Sequence, residues 1–163
     1  MPTIPLQVSS VTYRSDQNAI VEARRIYART HFIAQGGADD YCRSIVDSGA
    51  PFSVLPYSLW HQQKLRWTHL GGAVLTRVAP PSMEQLIWQG VPCELGETNV
   101  FLLDLASGVQ SGPHRVVGKF VQQSVAGEFE TTAPLGLNFL SDNAIRFAVE
   151  RTGASLSSHL VVP

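Results

Sequence analysis

Apolar positions along this chain come in short runs, and glycine and proline cut between them at Gly36-Gly37, Gly71-Gly72, Pro80-Pro81, Gly90, Gly96, Gly108, Gly112-Pro113, Gly127 and Gly153. Pieces that short favour strands over helices. Enrichment in β-branched and aromatic residues predicts strands over residues 4–8, 41–46, 73–78, 99–105, 115–123, 144–150 and 156–162. Residues 16–30 read two ways. Ala19, Glu22, Ala23, Arg24, Arg25 and Ala28 suit a helix, while Val21, Ala23, Arg25 and Tyr27 alternate as a strand does. We read this segment as a pair of strands. Two short helices are expected, one after Pro56 running to Lys64 and one around residues 139–143. The pattern as a whole describes a mostly antiparallel β protein.

Composition narrows what such a protein does. Of 163 residues, 44% are apolar and 15% charged, against about 25% charged in an average soluble domain, so the chain is expected to fold, as one domain over residues 1–163. No repeat, low-complexity tract or linker divides it. A net charge of -1 offers no basic footprint for nucleic acid and no polybasic signal for anionic lipid, so neither is an expected partner. The longest apolar runs, such as residues 100–103, fall far short of the roughly 20 residues of a membrane-spanning helix. The opening Met-Pro-Thr-Ile-Pro-Leu-Gln lacks the features of a secretory signal, and a cytoplasmic location is expected.

Other candidate chemistry is sparse. Cys42 and Cys93 are too few for a disulfide framework and are expected to be buried free thiols. His31, His61, His69, His114 and His159 are scattered without ligand spacing, so no metal and no cofactor are expected. No nucleophile elbow, phosphate-cradling loop or dinucleotide fingerprint is present. Trp60, Trp67 and Trp88 read as core or cleft lining, and Asp39-Asp40 as a solvated loop.

One run stands apart. In Ser44-Ile45-Val46-Asp47-Ser48-Gly49-Ala50 an acid ends an apolar strand immediately before a tight turn. Desolvating a carboxylate is costly unless donors or a second carboxyl sharing its proton compensate. Ser48 offers a hydroxyl, and Gly49 lets a backbone N–H approach without a Cβ in the way. Alone, Asp-Ser-Gly is ordinary turn chemistry. With its flanks, Ile45-Val46-Asp47-Ser48-Gly49-Ala50 resembles the signature of the retropepsin-like aspartic peptidases, the family of the retroviral proteases. Pro134-Leu135-Gly136-Leu137-Asn138-Phe139-Leu140 resembles that family's second landmark, an apolar pair and glycine leading into a short helix. The likeness spans roughly residues 40 to 150. It departs from the family at Ser44, at Pro134 and in the longer stretch between the two motifs.

The resemblance implies an all-β fold, a closed or partly open acid-protease-like barrel with one lobe per chain and one or two short helices. It implies Asp47 as the catalytic acid, supported by Ser48, Gly49, Ala50, Leu135 and Gly136. Asp16, Asp39, Asp40, Asp104 and Asp142 lack the Ser/Thr-Gly context, so the second carboxyl is expected from Asp47 of another copy in a two-fold homodimer. A hairpin flap is expected between the motifs, with Trp67, Gly71 and Gly72 the first candidates and Gly90 the rival. The substrate is then an extended peptide or protein segment. The alternative is a non-catalytic peptide- or partner-binding module on the same fold.

Overall fold

A computed structural model of the chain describes residues 1–35 and 39–163. In chain order it has strands β1 (Thr3–Pro5), β2 (Gln7–Arg14), β3 (Ile20–Ile33), β4 (Asp39–Val46) and β5 (Ser53–Leu55), then a π-helical turn at Ser58–Gln62. There follow β6 (Thr68–Gly71), β7 (Val74–Val78), β8 (Pro81–Gln85), β9 (Ile87–Trp88), β10 (Val91–Asp104) and β11 (Val109–Val121). A 3-10 turn at Glu128–Glu130, β12 (Ala133–Leu135), helix α1 (Leu137–Asp142), β13 (Arg146–Thr152) and β14 (Ser155–Val161) complete the chain.

The expected all-β class and the expected short helices are what the structure has, in the partly open form. The main sheet runs β12-β4-β3-β10-β11-β5 with no closing pair between its ends, and β2, β6 and β9 join it along the long strands. β1, β14 and β13 form a second sheet, and β7 with β8 a third. Long strands serve several partners because twist carries their two halves in different directions. β3 pairs with β2 through its first half and with β4 and β10 through its second.

Residues 16–30 do not form a strand pair among themselves. They hold a turn, closed by Ser15 N–H to Ala19 O at 2.9 Å with Asn18 at φ 61°, and then one continuous strand whose hairpin partner lies upstream in β2. Eight consecutive cross-strand pairs override the helix propensity of the alanines. The expected strand 4–8 breaks at Leu6, whose N–H goes to Ser158 O at 2.9 Å. Asp39 and Asp40 begin β4 opposite Ile33 and Phe32 rather than lying in a loop; Gly36-Gly37 falls outside the described residues.

The main core gathers Phe32, Phe120, Phe139, Leu55, Leu65, Leu102 and Leu135 with their neighbours, and a smaller cluster joins Val54, Leu86, Val91, Cys93 and Val121. Cys93 is buried as expected, whereas Cys42 is only half-buried, beside the Thr30 hydroxyl at 3.1 Å. Inside, Thr30 and Ser44 satisfy each other at 2.7 Å, which is how β4 tolerates a serine where an apolar side chain was anticipated. Among the described residues no helix is long and apolar enough to cross a membrane.

Candidate active site

Asp47 stands where β4 ends. β12 runs parallel beside β4 with Leu135 level with Val46, and the Asp47 N–H donates to Leu135 O at 3.0 Å. Ile45 and Val46 are buried, while Asp47, Ser48 and Gly49 are exposed. The chain thus delivers the acid from the core onto a free surface within one residue. A turn follows, closed by Ala50 N–H to Asp47 O at 3.2 Å, and the Gly49 N–H donates to Asp47 Oδ1 at 3.0 Å. A Cβ at Gly49 would sit 3.3 Å from that oxygen, so the glycine gives the amide and the carboxylate room to meet.

The Leu135-Gly136 element locks this loop from behind. Leu137 N–H donates to Ala50 O at 2.7 Å and Asn138 N–H to Pro51 O at 3.3 Å. A Cβ at Gly136 would lie 2.5 Å from the carbonyl carbon of Phe52 and 2.8 Å from Ala50 O, so no larger residue fits. Asp47, Ser48, Gly49, Ala50, Leu135 and Gly136 are therefore in one place, though some 90 positions separate the two groups.

Sequence reasoning missed two residues that hold the lock. Ser53 is fully buried, and its hydroxyl accepts the Gly136 N–H at 3.0 Å. Asn138 Oδ1 accepts the Ser53 N–H at 3.0 Å, and Asn138 Nδ2 donates to Val117 O at 2.6 Å. A serine inside a run with Val54 and Leu55 was the available signal, since a polar group buried among apolar ones needs a partner.

One cavity opens on Asp47, and a second lies farther along the chain at Pro51 and Phe52. The first, of about 280 Å³, is lined by Asp47 with Arg24, Arg25, Ile45, Val46, Phe129 and Pro134. Asp47 is the one carboxylate in that lining among the described residues. The Arg25 guanidinium lies 5.4 Å over the Phe129 ring and pairs with Glu128, which also accepts the Tyr27 hydroxyl. Burial first, and then the Glu128 carboxylate, push the Tyr27 hydroxyl above its ordinary range. The other cavity, of about 460 Å³, lies between Pro51 and Phe52 and the β7–β8 hairpin residues Leu75, Thr76, Arg77 and Glu84.

The hairpin facing Pro51 and Phe52 across that cavity is β7–β8, turned at Ala79-Pro80 and exposed from Thr76 to Gln85. Gly71 instead ends β6 opposite Leu95, and Gly72 lies in open space between β6 and β7, at the stem of the hairpin rather than its tip. Trp67 stacks on Phe120 with centroids 4.4 Å apart, over Gly96, where a Cβ would meet it at 2.5 Å. It packs against the core. Gly90, at φ 76°, and Gln89, at φ 48°, form a tight two-residue turn joining β9 to β10, and Trp88 meets Phe129 edge-on at 5.1 Å.

The fold and site together define an all-β, open-sheet protein in which a turn-borne acid, Asp47, lines a cavity. No family model matches the chain, and no curated protein matches it. Among solved structures it is similar to the crystal structure of a retropepsin-like aspartic protease from Rickettsia conorii, with 12% identity over 95% of this chain and 92% of that one and a TM-score of 0.41. So distant a likeness bears on no side chain.

Proposed function

We propose that this chain is half of an aspartic endopeptidase, and that two copies hydrolyse peptide bonds with one Asp47 from each. The observation that carries the reading is the exposed Asp47 carboxylate, in the lining of a cavity, on a loop locked from behind by Gly136. Two carboxyls about 3 Å apart cannot both ionise, so they share one proton. The ionised Asp47 takes a proton from water as the oxygen attacks the scissile carbonyl carbon, and the protonated partner gives its proton to the carbonyl oxygen. Collapse of the resulting gem-diol returns protons to the amine and to the pair, with no covalent enzyme intermediate. Ser48 is scaffold on this reading and not a nucleophile.

The β7–β8 hairpin is the flap in this proposal, with Gly71-Gly72 at its hinge. Phe52 and Leu75 give the cavity beneath it an apolar wall for a side chain of an extended peptide. The test is Asp47→Asn in a peptide-cleavage assay. The amide keeps an oxygen for the Gly49 N–H, so the variant folds as wild type and cleavage is lost; retained turnover rejects the assignment. A rate optimum below neutral pH and block by statine-type inhibitors are the accompanying expectations. A second reading, a peptide-binding module without catalysis, rests on Asp47 being the one carboxylate among the described residues that line its cavity. Peptide captured by dimeric wild-type protein without turnover at any pH favours it.

A further inference from the structure

β3 and β4 carry two arginines that face each other. Arg29 lies directly opposite Arg43, and its neighbour on the other side, in β10, is Leu103. Side chains opposite each other on paired strands start about 5 Å apart on the same face of the sheet, and like charges there repel. A carboxylate between them would relieve the repulsion. Neither guanidinium forms an ion pair with a described residue. Arg43 lies 4.4 Å over the ring of buried Tyr27, which holds it in place without neutralising its charge.

Two cavities adjoin the pair, of about 340 Å³ and about 430 Å³, and Gln7, Arg29 and Arg43 line both. Among the described residues the one carboxylate in either lining is Asp104, and its own turn takes it up: Oδ1 accepts the Ala106 N–H at 3.0 Å and Oδ2 the Ser107 hydroxyl. The second cavity supplies an independent observation. Thr132, in its lining, precedes β12. With Ala133 beside Ser44, the parallel register continued sets Thr132 level with Arg43. The residue is only 3% exposed, yet its hydroxyl makes no hydrogen bond with a described residue. Hydroxyls so enclosed are ordinarily satisfied.

We infer that Arg29, Arg43 and Thr132 bind the phosphoryl dianion of a phosphate monoester. Each planar guanidinium offers paired N–H donors to two oxygens. A carboxylate brings two oxygens and one charge, enough for one of these arginines. A phosphate ester brings three oxygens and a charge of about -1.5 to -2 at neutral pH, which matches both guanidiniums and offers further lone pairs to the Thr132 hydroxyl. Cavities of this size accept a small organic group beside the phosphate, and Leu6, Tyr27 and Leu103 give the first one an apolar wall for it. Arg43 lies four positions before Asp47, about 13 Å at the rise of a strand. The site is therefore separate from the Asp47 cavity and stands or falls without the peptidase reading.

Calorimetric titration of the full chain with inorganic phosphate, at an ionic strength held constant with chloride, tests this. Wild type is expected to bind phosphate with a dissociation constant of about 1 mM or tighter, and to melt at a higher temperature in its presence. Arg29→Gln and Arg43→Gln are each expected to weaken binding about tenfold or more, and the near-isosteric Thr132→Val to weaken it several-fold. Melting curves in chloride alone confirm that the variants fold. Arg29→Gln is expected there to be at least as stable as wild type, because the repulsion across the strands is gone. Arg146→Gln, at an exposed residue of β13 that lines neither cavity, is expected to bind as wild type does. Phenyl phosphate and a phosphoserine peptide separate the two sources of the group: the tighter binder names a small monoester or a phosphorylated side chain, and either supports the site. Phosphate that fails to bind wild type, that binds both arginine variants equally well, or that acetate matches overturns the inference.

Discussion

Replacing Gly136 by alanine adds one methyl group at the most confined point behind Asp47. The residue sits at φ -82° and ψ -178°, extended backbone open to any amino acid, so the obstacle is space and not conformation. The new Cβ would lie 2.5 Å from the Phe52 carbonyl carbon, 2.6 Å from its oxygen and 2.8 Å from Ala50 O, where ordinary carbon contacts begin at about 3.5 Å. All three atoms are backbone, so no rotamer change relieves the overlap, and β12 and the loop must part by about 1 Å. That stretches Leu137 N–H to Ala50 O from 2.7 Å and Gly136 N–H to Ser53 Oγ from 3.0 Å, both beyond hydrogen-bond range. Two bonds lost, one leaving a buried N–H without a partner, cost about 2–4 kcal/mol. For a chain of this length each kcal/mol moves the melting temperature by about 2–4 °C, so a fall of roughly 5–15 °C is expected by calorimetry or circular dichroism. Cleavage is expected to fall with it, because Asp47 is held through Leu135. A melting temperature within about 2 °C of wild type would refute the packing argument.

Two further outcomes follow from the same geometry. Asn138→Leu keeps the volume but leaves the N–H of fully buried Ser53 and the carbonyl of Val117 without their partner, a loss of about 2–3 kcal/mol; an unshifted urea midpoint would show that water or another group substitutes. His114 is buried beside Ser111 Oγ at 3.0 Å, and burial holds its imidazole below the ordinary value of 6.5. Its contribution is therefore fully present above pH 6.5 and lost as pH falls through the lower folded value, because the unfolded chain takes up the proton first. His114→Gln is expected to flatten the decline in stability between neutral and acidic pH, and identical slopes for the two proteins would contradict this.

What the sequence determined by itself was local. Alternating β-branched residues and frequent Gly and Pro specified strands because strand periodicity and turn chemistry are properties of a few adjacent residues. The order apolar pair, Asp47, Ser48, Gly49 likewise predicted an acid leaving a strand into a turn, and the resemblance implied a second element at Leu135-Gly136. Tertiary structure alone decided which distant pieces meet. Ser53 and Asn138 became the bolt behind Asp47 only once β5 and α1 were brought together. Trp67 is held against Phe120 and Gly71-Gly72 falls at the stem of the β7–β8 hairpin, which only the pairing of β6 with β10 and of β7 with β8 decides. Residues 16–30, expected as a pair of strands, became a turn and one strand paired with β2, since a strand's partner is a neighbour that its own sequence does not name.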